Sequence, residues 1–194
     1  MGGKTMTYTD ALLALSTGRF VPAIATFLGH VAFDRTDGEA WLYLGIGYSE
    51  SGLLTDALHA LHVAELLLEE DAELSEAFGV TYLRLGELDT AGTHLRRALA
   101  ADNPPQSIHR NLAVLYLLQR GLDVALQSIN RAIAGEPTNV VNRYVKTLIL
   151  RELHNRDQRD YRFELKGELK QILATNEVPP QIASFAKEEL STLF

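Results

Sequence analysis

The sequence predicts an all-α fold of stacked helical hairpins, because small and large residues each recur at an interval of 34 positions. A fixed period of roughly 20 to 50 residues is typical of stacked supersecondary units. The small columns are Gly45, Gly79 and Ala113; Ala23, Ala57, Ala91 and Ala125; and Ala64, Ala98 and Ala132. The large columns are Tyr48, Tyr82 and Tyr116; Leu44, Phe78 and Leu112; and Phe27, Leu61, Leu95 and Ile129. Antiparallel helices approach to about 8 to 10 Å only where small side chains lie at the crossing, so each period predicts a closely packed helix pair.

Within one period, two apolar stripes have helical spacing. Trp41, Leu44 and Tyr48 make the first stripe, and the alanine and leucine columns after Gly52 make the second. A glycine separates the stripes because glycine tolerates a positive φ in a tight turn. The predicted turn glycines are Gly18, Gly52, Gly86 and Gly121. Gly121 falls one residue late, with Arg120 in the position that the period expects, which suggests a slightly altered fourth turn.

The segment Trp41 to Tyr48, followed by Ala57 and Ala64, resembles the tetratricopeptide consensus W-x2-L-G-x2-Y with its later alanines. The resemblance extends over four units, residues 4–37, 38–71, 72–105 and 106–139, the first of them divergent. It implies a right-handed α-α superhelix, a tetratricopeptide repeat (TPR) solenoid. The expected fold is a single domain over 1–194 with about four to five helix-turn-helix repeats and a C-terminal capping helix.

After residue 138 the register is lost, but the sequence still predicts helices. Asn139 to Leu153 forms one candidate helix, and Leu165, Leu169 and Ile172 line a second. Pro179-Pro180 breaks the chain before a last amphipathic helix. The degenerate pair and cap at 139–194 would cover the apolar end of the stack.

The net charge of −7 is unevenly distributed. Residues 34–103 hold 14 acidic and 4 basic side chains, which disfavours nucleic acid as a partner, whereas residues 104–194 are slightly basic without a dense Lys/Arg stripe. No apolar run approaches the roughly 20 residues that a membrane span requires, so we expect no membrane insertion. The sequence starts without a secretory signal pattern, which favours a cytoplasmic location.

In the resembled family, the first helix of each repeat lines a concave groove. Carried over, this implies a partner-binding groove of Leu42, Tyr43, Ile46, Val80, Arg84, Arg110, Asn111, Val114, Asn142, Arg143 and Lys146. Its basic end suits a peptide with apolar side chains and an acidic group or C-terminal carboxylate. An ordinary solvated surface is the alternative interpretation. The carboxylate clamp of chaperone-binding relatives is not expected, because Glu76 and Val80 occupy places where it needs Lys and Asn.

These features favour a protein–protein interaction scaffold or adaptor that binds a peptide or a segment of a partner protein. The alternatives are a structural subunit that self-assembles through its terminal repeats, as a homo-oligomer, and a secretion-type chaperone for an unfolded client. We expect neither an enzyme nor a cofactor, because no phosphate loop or nucleophile motif occurs. His59, His62 and Glu65 have helical spacing but lack a fourth metal ligand, so we expect no metal site.

Overall fold

The computed structural model describes residues 6–69, 71–156 and 160–193, and over these ranges the regular structure is entirely helical. The eleven helices in the described ranges are α1 Tyr8–Ser16, α2 Phe20–Phe33, α3 Gly38–Glu50, α4 Leu54–Leu67, α5 Ala72–Leu85, α6 Leu88–Leu99, α7 Ile108–Leu118, α8 Leu122–Gly135, α9 Val140–Arg156, α10 Arg162–Ala174 and α11 Pro180–Thr192. Positions 4 and 5 of the predicted first repeat lie outside the described residues.

The helices divide between two compact units, α1–α6 and α7–α11, with the boundary between Pro105 and Gln106. In the first unit, helices adjacent in sequence pack in pairs, and α3 also contacts α5. In the second unit, α7 pairs with α8 and also contacts α9, while α9, α10 and α11 pack in chain order. A single domain over 1–194 stays a prediction.

Close helix crossings explain the first column of small residues. A Cβ added at Gly45 would lie 2.6 Å from Leu61 Cδ2, and one added at Gly79 would lie 2.6 Å from Leu95 Cδ2. Real Cβ atoms do not approach other atoms so closely, so α3–α4 and α5–α6 need glycine at these crossings. The small and large columns therefore correspond to facing positions in each pair.

The turns follow the predicted pattern with one difference. Gly18, Gly52 and Gly86 have φ of +75°, +80° and +81°, as predicted. The prediction for Gly121 is wrong, because its φ is −82° and Arg120 takes the left-handed conformation with φ of +63°. The turn therefore keeps its place in the period at the expense of a strained non-glycine residue.

Acidic or amide side chains cap several first helices. Asp37 accepts a hydrogen bond from the Ala40 amide at 2.9 Å, and Asp71 accepts one from the Leu74 amide at 2.6 Å. Asn139 accepts from the Val141 amide at 3.0 Å. Because side-chain oxygens satisfy amides that have no partner in the first turn, these residues fix where α3, α5 and α9 begin.

The predicted C-terminal helices form and complete the core of the second unit. Leu165, Leu169 and Ile172 of α10 are buried together with Ile149 and Leu153 of α9. On α11, Ala186 is buried and flanking apolar residues are partly buried against the same cluster. Among the described residues, none of the helices is sufficiently long and apolar to cross a membrane.

Candidate partner-binding surface

The predicted groove residues lie on first helices of the repeats, in two separate groups. Tyr43 and Ile46 are on α3 and Val80 and Arg84 on α5, in the first unit. Leu42 is also on α3, and the other six predicted residues are on α7 and α9, in the second unit. Because α3 contacts α5 and α7 contacts α9, each unit presents a surface made by neighbouring first helices.

Two predicted lining residues are buried. Leu42 is 2% exposed and belongs to a core cluster with Leu61 and Phe78. Asn142 is 0% exposed, and its amide nitrogen donates to the Ala132 carbonyl at 3.2 Å. Neither side chain has surface for a ligand, so their role is to hold the helices that carry the others.

Tyr43 is the aromatic member of the surface in the first unit. Its hydroxyl donates to Glu73 Oε2 at 3.4 Å, and its ring stacks on Phe27 with 5.7 Å between centroids. Burial, followed by the charges of Glu73 and Glu39, raises the pKa of Tyr43 to about 12. Burial and then Asp71 likewise raise the pKa of the Glu73 carboxyl. The surface around Tyr43 is therefore apolar at the ring and negatively charged beside the hydroxyl group.

Ile46 and Val80 are partly exposed, and Ile46 packs on the core cluster that contains Leu42. Arg84 pairs with Glu50 of α3 at 2.7 Å, with side chains 38% and 35% exposed. Beneath this pair, Thr81 Oγ1 lies 3.0 Å from Ser49 Oγ, and both residues are buried. Polar contacts therefore join α3 to α5 beside an apolar strip.

Three charges meet in the second unit. Arg143 Nη1 lies 2.8 Å from Glu168 Oε2, and Lys146 Nζ lies 2.7 Å from Glu168 Oε1. The side chains of Arg143, Lys146 and Glu168 are only 18%, 21% and 12% exposed. Because one carboxylate serves two cations, the cluster keeps an excess of one positive charge.

Arg110 adds a second positive charge nearby on α7. Its Nη1 donates to Asn142 Oδ1 at 3.3 Å, and in the described parts of the chain no acidic group pairs with its guanidinium. Val114, one turn further along α7, is partly buried against the core, and Asn111 is partly exposed. Glu136 Oε2 lies 3.5 Å from the amide nitrogen of the same Asn142. The surface of the second unit therefore combines apolar area with more basic than acidic side chains.

Glu168 is a residue of this candidate surface that the sequence did not single out. It lies on α10, three residues after Leu165 and four before Ile172, which are both buried. A carboxylate at core-facing helical spacing signals a buried ion pair, since buried charges are normally paired. That signal was present in the sequence.

The histidines considered as metal ligands pack against aromatic rings. His59 lies 6.5 Å from the Trp41 ring and His62 lies 5.0 Å from the Phe78 ring, between centroids. His62 Nδ1 is 3.4 Å from Glu65 Oε2. Within residues 6–69, 71–156 and 160–193, no group of three or more His, Cys, Asp or Glu side chains could hold a metal ion.

Comparison with known proteins gives structural likeness alone. No family model and no curated protein matches the chain. TTC0263, a thermophilic TPR protein of Thermus thermophilus, has a TM-score of 0.82 at 17% identity, over 95% of this chain and 97% of its own. YrrB, a TPR protein with an unusual peptide-binding site, has a TM-score of 0.58 at 17% identity, over 93% and 90%.

A chain of the APC/C hetero-tetramer Cut9–Hcn1 matches with a TM-score of 0.77 at 19% identity. The match covers 96% of this chain and 35% of the other, so the present chain spans about a third of the length of that protein. The predicted fold class, an all-α TPR solenoid, is confirmed by these likenesses and by the helix pairing. The chain therefore has the fold of tetratricopeptide repeat proteins.

Proposed function

We propose that the chain is a protein–protein interaction scaffold that binds a segment of a partner protein, without a catalytic step. The observation that carries the proposal is the charge arrangement on α7, α9 and α10. Glu168 neutralises one of two neighbouring cations, and Arg110 is met by an amide oxygen. A protein anion beside Val114 would complete this arrangement.

A partner segment with apolar side chains and a carboxylate fits this surface best. Arginine binds carboxylates through paired hydrogen bonds, and such charge-assisted bonds are about twice as strong as neutral ones. The apolar strip of Tyr43, Ile46 and Val80 on the first unit supports a scaffold in the same way, since partly exposed apolar and aromatic side chains are typical of binding surfaces. YrrB, by its description, has a peptide-binding site, which is compatible with this use of the fold.

Binding to short peptides tests the proposal. An array of labelled peptides that end in Leu or Phe followed by Asp or Glu would be measured by fluorescence anisotropy, each with a free C-terminal carboxylate and as its C-terminal amide. We expect the free acids to bind more tightly than the amides. Equal binding of both forms across the array would contradict a carboxylate-reading surface.

Three variants make the test specific. Arg110→Glu should weaken binding about tenfold or more, because it reverses a charge that pairs with the ligand. Glu168→Gln should strengthen binding, because it removes the carboxylate that competes with the ligand for Arg143 and Lys146. Lys170→Glu, on the exposed side of α10, is the matched charge reversal and should leave affinity unchanged. Circular dichroism would verify that each variant is folded.

A further inference from the structure

The outer face of α2 is apolar and exposed along its length. Its members recur at helical spacing and are Val21, Ala25, Leu28, Gly29, Ala32 and Phe33. Val21 is 78%, Leu28 43% and Phe33 95% exposed. From Phe20 to Phe33 the helix contains no Asp, Glu, Lys or Arg. The opposite side of the helix, with Ala23, Phe27 and Val31, already fills the core.

The other repeats serve as an internal control for this face. The positions 34, 68 and 102 residues after Val21, Ala25 and Leu28 are polar, and most of them are likewise exposed. They are Thr55, Asp89 and Asp123; His59, Thr93 and Gln127; and His62, Arg96 and Asn130. Exposure is therefore a property of the fold at these positions, whereas the apolar character of Val21, Ala25 and Leu28 is particular to α2. At the end of the face, Ala32 and Phe33 correspond to the exposed Leu66 and Leu67 of α4, so the long uninterrupted stripe, and not its last turn, distinguishes α2. Contiguous exposed apolar area of this kind marks an interaction site.

The local geometry suits a second helix lying along α2. Gly29 has open space where a Cβ would be, so another backbone meets no side chain there. An open cavity of about 460 Å³ borders it, lined by Met6, Ala25, Thr26, Gly29, His30 and Phe33. The Thr26 hydroxyl donates to the Pro22 carbonyl at 3.0 Å, so its hydrogen is already used when the face is covered.

The face is complementary to itself in the antiparallel direction. The midpoint of helix α2 lies between Thr26 and Phe27, and an antiparallel copy centred on that point places Val21 opposite Ala32 and Ala25 opposite Leu28. The same reversal places Arg19, just before α2, opposite Asp34, just after it. Both charged side chains are exposed, so two copies would form one Arg19–Asp34 pair at each end of the apolar face.

We propose that this face binds a second copy of the chain, with the two α2 helices antiparallel about a two-fold axis. The apolar stripe supplies the free energy of association and the flanking charges set the antiparallel direction. This interface uses residues outside the surface of the second unit. The proposal therefore stands or falls independently of peptide binding.

Sedimentation velocity of the full chain over a range of concentrations measures the association. We expect a concentration-dependent dimer. Leu28→Glu should raise its dissociation constant about tenfold or more, because it buries a charge in the apolar interface. Leu66→Glu is the matched control, since Leu66 is an 85% exposed leucine on α4, and this variant should dimerise like the wild type.

Site-directed cross-linking tests the direction, because the chain contains no native cysteine. A mixture of Ala25→Cys and Leu28→Cys chains treated with a short bismaleimide should give covalent dimers. His59→Cys and His62→Cys occupy the equivalent positions of α4 and should give few. Arg19→Asp and Asp34→Arg should each weaken the dimer, and the double variant should restore it, because the charge pair is then only reversed.

Three outcomes would overturn the proposal. The first is that the chain stays monomeric at every concentration. This outcome includes a monomer that associates only with phosphatidylcholine vesicles and a monomer that binds only a different protein. The second is a dimer that Leu28→Glu leaves unchanged. The third is equal cross-linking through α2 and α4. None of these outcomes bears on the peptide test, whose variants lie on α7 and α10.

Discussion

The two units solve the same packing problem with different residues. In the first unit, Gly45 and Gly79 face Leu61 and Leu95, and there is no room for a Cβ on either glycine. In the second unit, the equivalent pair is Ala113 and Ile129, and both are 0% exposed. Alanine on α7 has one methyl group more than the glycines, and the facing residue on α8 is the β-branched isoleucine instead of leucine. The repeat therefore conserves the fit of the pair at the crossing, not the identity of either residue.

The ion pairs of the two units differ in how far they are exposed. In the first unit, Glu50 and Arg84 form an exposed pair between two first helices that are 34 residues apart in register. In the second unit, Arg143 and Lys146 are served by Glu168 of α10, and all three side chains are largely buried. In the regular repeats, the ion pair joins two equivalent first helices and is exposed. In the C-terminal part, α10 lies outside the regular repeats and provides a largely buried carboxylate to α9.

Glu168→Gln should produce the largest effect on stability. It leaves Arg143 and Lys146 largely buried without a counter-charge, which we expect to cost about 1 to 3 kcal/mol in the free energy of unfolding. Glu50→Gln breaks the exposed pair and should cost at most about 1 kcal/mol. Urea unfolding of both variants checks the contrast, and equal losses would show that burial does not distinguish the two pairs.

Gly79→Ala should come next. The added Cβ would lie 2.7 Å from Leu95 Cγ and 3.3 Å from its backbone nitrogen, so the Leu95 side chain must move and α6 must shift slightly. We expect a net loss of about 1 to 2 kcal/mol, since overpacking outweighs the better helix propensity of alanine. Gly167→Ala, where a Cβ meets nothing within 4 Å, should instead stabilise the chain.

Adding Leu95→Ile to Gly79→Ala copies the pair that the second unit uses. A double-mutant cycle on thermal unfolding should show favourable coupling between the two changes. If the coupling is zero, the distance between helix axes, and not the choice of residues, sets the fit at each crossing.

The turns should give the smallest effect. Arg120→Gly removes a left-handed φ from a non-glycine residue and should stabilise the chain by about 1 kcal/mol or less. The lost contact to Glu152 Oε2 at 2.6 Å involves an arginine that is 76% exposed, so it offsets little. Gly86→Arg makes the reverse change in the first unit and should destabilise. Gln119→Gly, one residue away with φ of −76°, should bring no gain.

The sequence allowed the helix pairs, three of the four turn glycines, the C-terminal helices and the fold class to be predicted. It did not show that Leu42 and Asn142 are buried, although both occupy positions that the family resemblance assigns to the groove. At those positions the neighbouring helices decide how much side chain remains exposed, including α4 beside Leu42 and α8 beside Asn142. The residue pattern of one repeat contains no information about how closely the neighbouring helices approach these side chains.

The 34-residue period by itself determined which helices form and which faces meet, because packing within and between adjacent repeats joins residues that are close in sequence. Tertiary structure alone decided which cations are neutralised and which apolar positions stay uncovered. Glu168 reaches Arg143 and Lys146 from a helix outside the regular register, and the stripe on α2 is exposed because no described helix covers it. Charge pairing and exposure depend on all neighbours in space, whereas periodicity reports only neighbours along the repeat.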